Sequence, residues 1–164
     1  MTMLKKFTLP TPIGDLQVMM DESAIVLCEF KDHPARISRH LAKHHAGADI
    51  VDIEAPSQIK TVFDRYFAGE MDSLNSLPIS PSGTMHELKV WAYLQTVPVG
   101  TTQSYGEMAK TLSSSPRAVG GANGRNAIAL LIPCHRIIGA DGTLTGYAGG
   151  LERKQWLLKH EGAI

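Results

Sequence analysis

The chain has 164 residues, room for one ordinary domain or two small ones, and 43% hydrophobic against 20% charged residues predicts a globular protein with a real core. Sixteen basic and sixteen acidic residues cancel, so no overall charge draws the chain to nucleic acid. The halves differ, with eight basic against eleven acidic residues in 1–84 and eight against five in 85–164. Two cysteines, Cys28 and Cys134, argue against a disulfide framework, and the lack of a signal-peptide core or an apolar run near about 18 residues predicts a soluble, cytoplasmic protein without membrane contact.

In chain order, Lys6–Leu9 and Leu16–Met20 are predicted strands around the turn-like Thr11-Pro12-Ile13-Gly14-Asp15, and Ala24–Phe30 is a third strand. Cys28 lies inside that third strand without a basic neighbour, which reads as core packing. A helix starting at His33-Pro34 and running to about His45 turns Ile37 and Leu41 inward. His40 and His44 share one side at a spacing that can hold zinc, but no third ligand accompanies them, and a solvated face is the simpler reading. Pro56–Phe67 is a second helix with Ile59, Phe63 and Phe67 on one stripe. The proline-containing Leu74–Gly83 is extended and reads as the domain boundary, giving domains 1–76 and 85–164 joined by 77–84.

The second half carries well-marked helix starts. Thr84 and Glu87 form a capping box ahead of Leu88, Trp91 and Leu94, and Ser104 and Glu107 form another ahead of Met108 and Leu112. Ser115-Pro116 opens a third helix, Pro116–Gly124, after the Ser113-Ser114-Ser115 turn, a pattern that reads as helix-turn-helix. Gly120, Gly121 and Gly124 each cost that helix up to about 1 kcal/mol relative to alanine. Either a neighbouring element packs closely there, or the helix presents a low-profile surface to a backbone or groove wall; Arg117 at its start favours the second. Gly142–Gly150 is a glycine-rich loop without the Gly-Lys-Ser/Thr ending of a phosphate-binding loop, and reads as a lid or pocket wall. Glu152–His160 is a final helix with Trp156 and Leu157 inward, stopped at Gly162.

The organising stretch is Leu131-Ile132-Pro133-Cys134-His135-Arg136-Ile137-Ile138. A thiol, an imidazole and a guanidinium stand on consecutive residues, and a cysteine beside basic groups holds more of the nucleophilic thiolate than its ordinary pKa of about 8.5 allows. On a regular strand Cys134 and His135 would point to opposite faces. Pro133 suits a first helical turn, so a short strand through Ala129–Ile132 followed by a helical turn with Cys134 near its N-terminus is expected.

Residues 84–162 closely resemble the catalytic domain of the O6-alkylguanine-DNA alkyltransferases, also called methylated-DNA–protein-cysteine methyltransferases. Five ordered blocks carry the likeness: Arg117-Ala118-Val119-Gly120-Gly121, Asn126, Ile132-Pro133-Cys134-His135-Arg136-Ile137, Gly146–Leu151, and Trp156-Leu157-Leu158 with His160-Glu161-Gly162. The first half matches more loosely, through Thr11-Pro12-Ile13-Gly14 and its size. The chain departs from much of the family at Asn126-Ala127, where Asn-Pro is usual.

The resemblance implies an α+β/α fold, with a small N-terminal α/β domain of ribonuclease H-like type and a C-terminal helical domain with a winged-helix-like helix-turn-helix. It implies a single-turnover, irreversible transfer of an alkyl group, mainly methyl, from O6-alkylguanine (also O4-alkylthymine) in DNA to Cys134. By the same likeness His135 takes the thiol proton through a water, Glu161 holds that imidazole, Asn126 braces the active-site turn, and Tyr105 donates to the departing guanine. Arg117, Ala118, Gly121, Gly124, Arg125 and Arg136 would contact DNA in the minor groove, Arg117 filling the gap left by the flipped nucleotide, and Tyr147, Ala148, Gly149 and Gly150 would wall the substrate pocket. The partner implied is double-stranded DNA, met by a monomer without cofactor or metal. Cys28 with His86 cannot complete the zinc site of some relatives. Two other readings are a lesion sensor that binds alkylated DNA without repair, whose relatives lack the cysteine, and a thiol redox enzyme, which would want a resolving cysteine near Cys134.

Overall fold

The computed structural model describes residues 2–164, in two compact units. One runs to Ser82 and also takes in Ala127–Leu131; the other comprises Gly83–Asn126 and Ile132–Ile164.

In the first unit β1 (Met3–Leu9), β2 (Leu16–Met20) and β3 (Ile25–Phe30) pair antiparallel, and β4 (Asp49–Asp52) joins β1 in parallel, for the order β3-β2-β1-β4. The Thr11–Gly14 turn sets the register, placing Phe7 opposite Val18 and Leu9 opposite Leu16. Strand alternation then sends Leu4, Met19 and Leu27 into one cluster with Val26. Helix α1 (Pro34–His44) covers that cluster with Ile37 and Leu41, the two residues expected inward. Strand β4 was not expected from sequence. All four of its residues are exposed, so Asp-Ile-Val-Asp carries no burial pattern and is a strand through its backbone pairing with β1. Helix α2 (Ser57–Phe67) buries Ile59, Phe63 and Tyr66; Tyr66, not Phe67, completes the stripe, because four- and three-residue steps follow the helical turn.

The strand expected over Ala129–Ile132 does not form. Ala127–Ala129 instead makes a single bridge along β3: the Cys28 N–H donates to the Ala127 carbonyl and the Ala129 N–H to the Cys28 carbonyl, both at 2.8 Å. The chain then turns through Leu130, whose φ of 71° is rare for a side chain of that size. Cys28 is fully buried, and that burial pushes its thiol well above its ordinary pKa, in keeping with a packing role.

The second unit contains α3 (Met85–Leu94), β5 (Gln103–Ser104), α4 (Tyr105–Thr111), α5 (Pro116–Gly124), a 3₁₀ turn over Cys134–Arg136, β6 (Ile137–Ile138) and α6 (Leu151–His160). Both capping boxes close as expected, with Thr84 and Ser104 accepting from the backbones of Glu87 and Glu107. Helix α5 packs on α3 and α4; the Trp91 indole N–H donates to the Ala122 carbonyl at 2.9 Å. The parallel pair β5–β6 matters most for the site. Setting Gln103 against Ile137 and Ser104 against Ile138, it brings the start of α4 beside the end of the 3₁₀ turn. On α6 the inward residues are Lys154, Leu157 and Leu158, whereas Trp156, expected inward, is only half-buried and stacks on His160.

Gly83, at the head of this unit, has no room for a side chain: a Cβ there would lie 2.6 Å from the Trp91 ring, which is itself fixed by its hydrogen bond. Gly83→Ala is therefore expected to destabilise the protein by about 1–3 kcal/mol, the range for overpacking a well-filled core, read as a lowered urea midpoint at unchanged slope.

Candidate active site

Cys134 opens the 3₁₀ turn and is buried, with 4% of its surface exposed. Two amides hold the turn from behind. Asn126 Nδ2 donates to the Ile132 carbonyl at 2.8 Å, closing the excursion of residues 127–131, and Asn123 Nδ2 donates to the Cys134 carbonyl at 3.3 Å. The helical turn resolves the strand problem, because His135 no longer has to point opposite Cys134 across a pleat.

His135 is completely buried, and its Nε2 lies 2.9 Å from Glu161 Oε2. Glu161 also takes the Arg136 guanidinium as a fork, Nε to Oε1 at 2.9 Å and Nη2 to Oε2 at 3.1 Å, while Arg136 Nη1 donates to the Val97 carbonyl at 2.8 Å. Burial alone would raise the Glu161 carboxyl; the hydrogen bonds and charges of His135 and Arg136 together outweigh it and hold Glu161 well below the usual carboxylate range. Glu161 is thus an ionised acceptor, so Nε2 of His135 carries the proton and Nδ1 presents a lone pair. That Nδ1 is buried with no hydrogen-bond partner among the described residues. Burial lowers the His135 pKa against the pull of Glu161, which keeps the ring neutral near pH 7.

Tyr105, the first residue of α4, donates from its hydroxyl to the Thr145 carbonyl at 3.1 Å and approaches the Gly146 carbonyl at 3.4 Å. Burial and the charge of Cys134 raise its pKa. Lys154, which the sequence reading passed over, has no exposed surface. Its Nζ donates to the carbonyls of Ile137 at 2.5 Å and Thr145 at 2.8 Å, and sits 6.0 Å from the Tyr105 ring centroid. Burial lowers its pKa to about 8, with the Cys134 charge pulling the other way. A signal for it existed: Lys154 falls three and four residues before Leu157 and Leu158, on the inward stripe of α6. Asn123 was missed likewise, on the inward face of α5 with Val119 and Ala122.

The remaining expected residues separate into groups. Tyr147 is half-buried with its ring edge-on to His135 at 6.5 Å, and Gly149 is tied to Arg153 through its carbonyl. Arg117, Ala118, Gly124 and Arg125 are exposed and Gly121 partly so, together one face of α5. Added Cβ atoms at Gly120 and Gly124 would meet nothing closer than 3.7 Å, so close packing does not require those glycines, and the low-profile surface is the better account. Arg125 also pairs with Glu87. Arg136, expected at DNA, is instead turned inward onto Glu161 and Val97. Among the described residues no group of three His, Cys, Asp or Glu side chains is arranged to hold a metal ion, and no helix is long and apolar enough to cross a membrane.

A buried cysteine at the head of a helical turn, followed by a buried His–Glu pair and set in one unit with the two helices α4 and α5, is the arrangement of a protein built around an activated thiol. Residues 85–163 match the model for the 6-O-methylguanine DNA methyltransferase DNA-binding domain, and residues 4–81 the model for the ribonuclease-like domain of the same proteins. The chain is 50% identical to a methylated-DNA–protein-cysteine methyltransferase of Methanosarcina acetivorans, over 93% of this chain and 95% of that one. It is 39% identical to one of Shigella flexneri over 94% and 93%. The crystal structure of Mycobacterium tuberculosis OGT in complex with DNA superposes with a TM-score of 0.80 at 35% identity, covering 97% of this chain and 93% of that one. The chain belongs to the methylated-DNA–protein-cysteine methyltransferase family.

The His135–Glu161–Arg136 cluster makes stability depend on acid in a defined direction. Glu161 ionises at lower pH folded than unfolded, so its contribution is present above the unfolded value and lost as pH falls through the folded one. His135 is also lowered, so below about pH 6.5 the unfolded chain takes up that proton first, and stability again falls with pH. Urea midpoints measured across this range should decline steadily on the acid side. Glu161→Gln should lower the midpoint at neutral pH by the equivalent of about 3–5 kcal/mol, since it leaves Arg136 without its buried counter-charge, and should flatten the lower part of the decline.

Proposed function

We propose that this chain repairs alkylated DNA directly, moving the alkyl group from guanine O6 to the sulfur of Cys134. The observation that carries the reading is the buried His135–Glu161 pair behind a cysteine at the start of a helical turn. The Cys134 proton passes to His135 Nδ1 through a water, and the thiolate attacks the alkyl carbon in line. The S–C bond forms as the C–O6 bond breaks, and the departing guanine takes a proton from the Tyr105 hydroxyl. The thioether product has no leaving group, so each molecule turns over once.

Three features support the rest. Lys154 is a buried cation without a carboxylate partner among the contacts above, and the charge that stabilises it is the Cys134 thiolate. Helix α5 offers small residues with Arg117 at its exposed start, which suits close approach to a minor groove and a side chain inserted where a base has left the stack. The loop after β6 is stitched to Tyr105 and Lys154 through the Thr145 and Gly146 carbonyls, forming a wall for an extruded base. Residues 77–84 serve as the linker between an N-terminal domain of residues 1–76 and a DNA-binding, alkyl-accepting domain of residues 85–164, and the protein works as a monomer in the cytoplasm.

Intact mass after incubation with duplex DNA containing O6-methylguanine should rise by one methyl group per molecule, and Cys134→Ser should abolish the gain. Tight binding without a mass change would instead make the protein a lesion sensor. Arg117→Ala should slow repair of duplex DNA at least about tenfold while leaving reaction with a free O6-alkylguanine base almost unchanged; equal slowing would remove it from gap filling. Lys154→Met should move the pH profile of alkylation toward higher pH, because the thiolate loses its cation, and a profile unmoved would free Lys154 from that role.

A further inference from the structure

Glu87 is a buried carboxylate whose charge its local duty does not explain. It closes the capping box of α3, its Oε1 accepting from the Thr84 N–H at 2.9 Å, and a glutamine would serve that bond equally well. Glu107 closes the box of α4 while exposed and without an ion pair among the described residues. Glu87 differs in its second oxygen. Its side chain is 5% exposed, and Oε2 takes the Nε–H of Arg125, 38 residues on at the end of α5. Burying a carboxylate is costly unless it is paired, and Arg125 supplies the pair. Only one of the three guanidinium nitrogens is used in this way. Nη1 and Nη2 make no hydrogen bond or ion pair among the described residues, and the Arg125 side chain is 56% exposed. The group lies across Gly121, where a Cβ would stand 3.2 Å from Nη1, 3.5 Å from Nη2 and 3.7 Å from Cζ. A guanidinium pinned at Nε and open at both terminal nitrogens presents a planar pair of donors in a fixed direction.

Positions 117, 121 and 125 are successive four-residue steps, so both arginines lie on the face of α5 that turns to solvent. They stand about 12 Å apart along the helix axis, too far to serve one phosphate. We propose that Arg125 grips a phosphate of the duplex backbone with Nη1 and Nη2, and that Glu87 is the positioning residue that aims it. Helix α3 then takes part in DNA binding through its cap, without touching DNA. The inference rests on the repair reading for its partner, duplex DNA. A guanidinium fork matches two phosphate oxygens at once. Phosphate contacts fix register and carry no sequence information, so this one acts on undamaged duplex as well, unlike Arg117, which needs a base drawn from the stack. The sign of the Glu87 effect is the distinctive consequence. A carboxylate near DNA ordinarily repels phosphates, yet removing this one weakens binding, because a freed guanidinium must be ordered again in the complex.

The test is equilibrium binding of the full chain to an unmodified DNA duplex, followed by fluorescence anisotropy over a range of salt concentrations. Undamaged DNA separates binding from the alkyl transfer. Arg125→Ala should weaken binding about tenfold and lower the salt slope by about one. Glu87→Gln, which keeps an acceptor for Thr84, should weaken binding about threefold when Arg125 is present and should not weaken it in the Arg125→Ala background. Arg125→Lys should recover little of the loss, since one ammonium cannot hold Glu87 and a phosphate as a fork does. If Glu87→Gln tightens binding with Arg125 present, or weakens it as much with Arg125 absent, Glu87 does not aim Arg125 and the proposal is overturned. Full recovery by Arg125→Lys overturns the fork, reducing the contact to bare charge. Should Glu87→Gln not fold, Arg125→Ala against Arg125→Lys decides. A wild type that binds no duplex brings down the repair reading; variants that match a wild type that does bind bring down this contact alone.

Discussion

A carboxylate with a fully buried side chain holds this site together. Glu161 lies just beyond α6, 26 residues after the histidine it binds, and is shared between an imidazole that must stay neutral and a guanidinium that cannot lose its charge. Arg136 keeps the carboxylate ionised, and the ionised carboxylate dictates which nitrogen of His135 carries hydrogen. Remove the anion and the His135 ring has no defined tautomer. The inward turn of Arg136 is part of the same arrangement, its guanidinium held between Glu161 and the Val97 carbonyl.

Around that cluster the second unit concentrates groups that are costly to bury. Lys154, Asn123, Asn126, His135 and Glu161 are all below a tenth exposed. The side-chain nitrogens of Lys154, Asn123 and Asn126 donate to backbone carbonyls of the segments they hold: Ile132, Cys134, Ile137, Thr145 and Gly146. Each bond positions a stretch of chain that has little regular structure of its own, the 3₁₀ turn and the glycine-rich loop above all. The turn that carries Cys134 needs such a frame, because it lacks the continuous ladder of a strand. The bridge from Cys28 to Ala127 and Ala129 does similar work for residues 127–131.

Much of this was legible along the chain. Capping boxes at Thr84 and Ser104, the proline after Ser115 and the Thr11–Gly14 turn are signals spread over four or five residues, and each formed as expected. The Cys-His-Arg run pointed to Cys134, and its resemblance to a family supplied Glu161, which pairs with His135. Strand β4 was invisible because exposed residues with no burial pattern became a strand only by pairing with β1. The strand expected before Pro133 failed for the converse reason, since an apolar run is read as a strand whether or not a full partner edge is there to receive it.

What the sequence by itself determined is local: where helices begin, where the chain turns, and where a thiol, an imidazole and a guanidinium stand in succession. These follow from backbone preferences and neighbours a few bonds away. Only the tertiary structure decided that Lys154 and Asn123 belong to the site, that Arg136 faces Glu161, and which ring nitrogen of His135 is free. Those depend on groups 11 to 26 residues apart meeting in a medium that excludes water, where a polar atom must find a partner or remain a site for one.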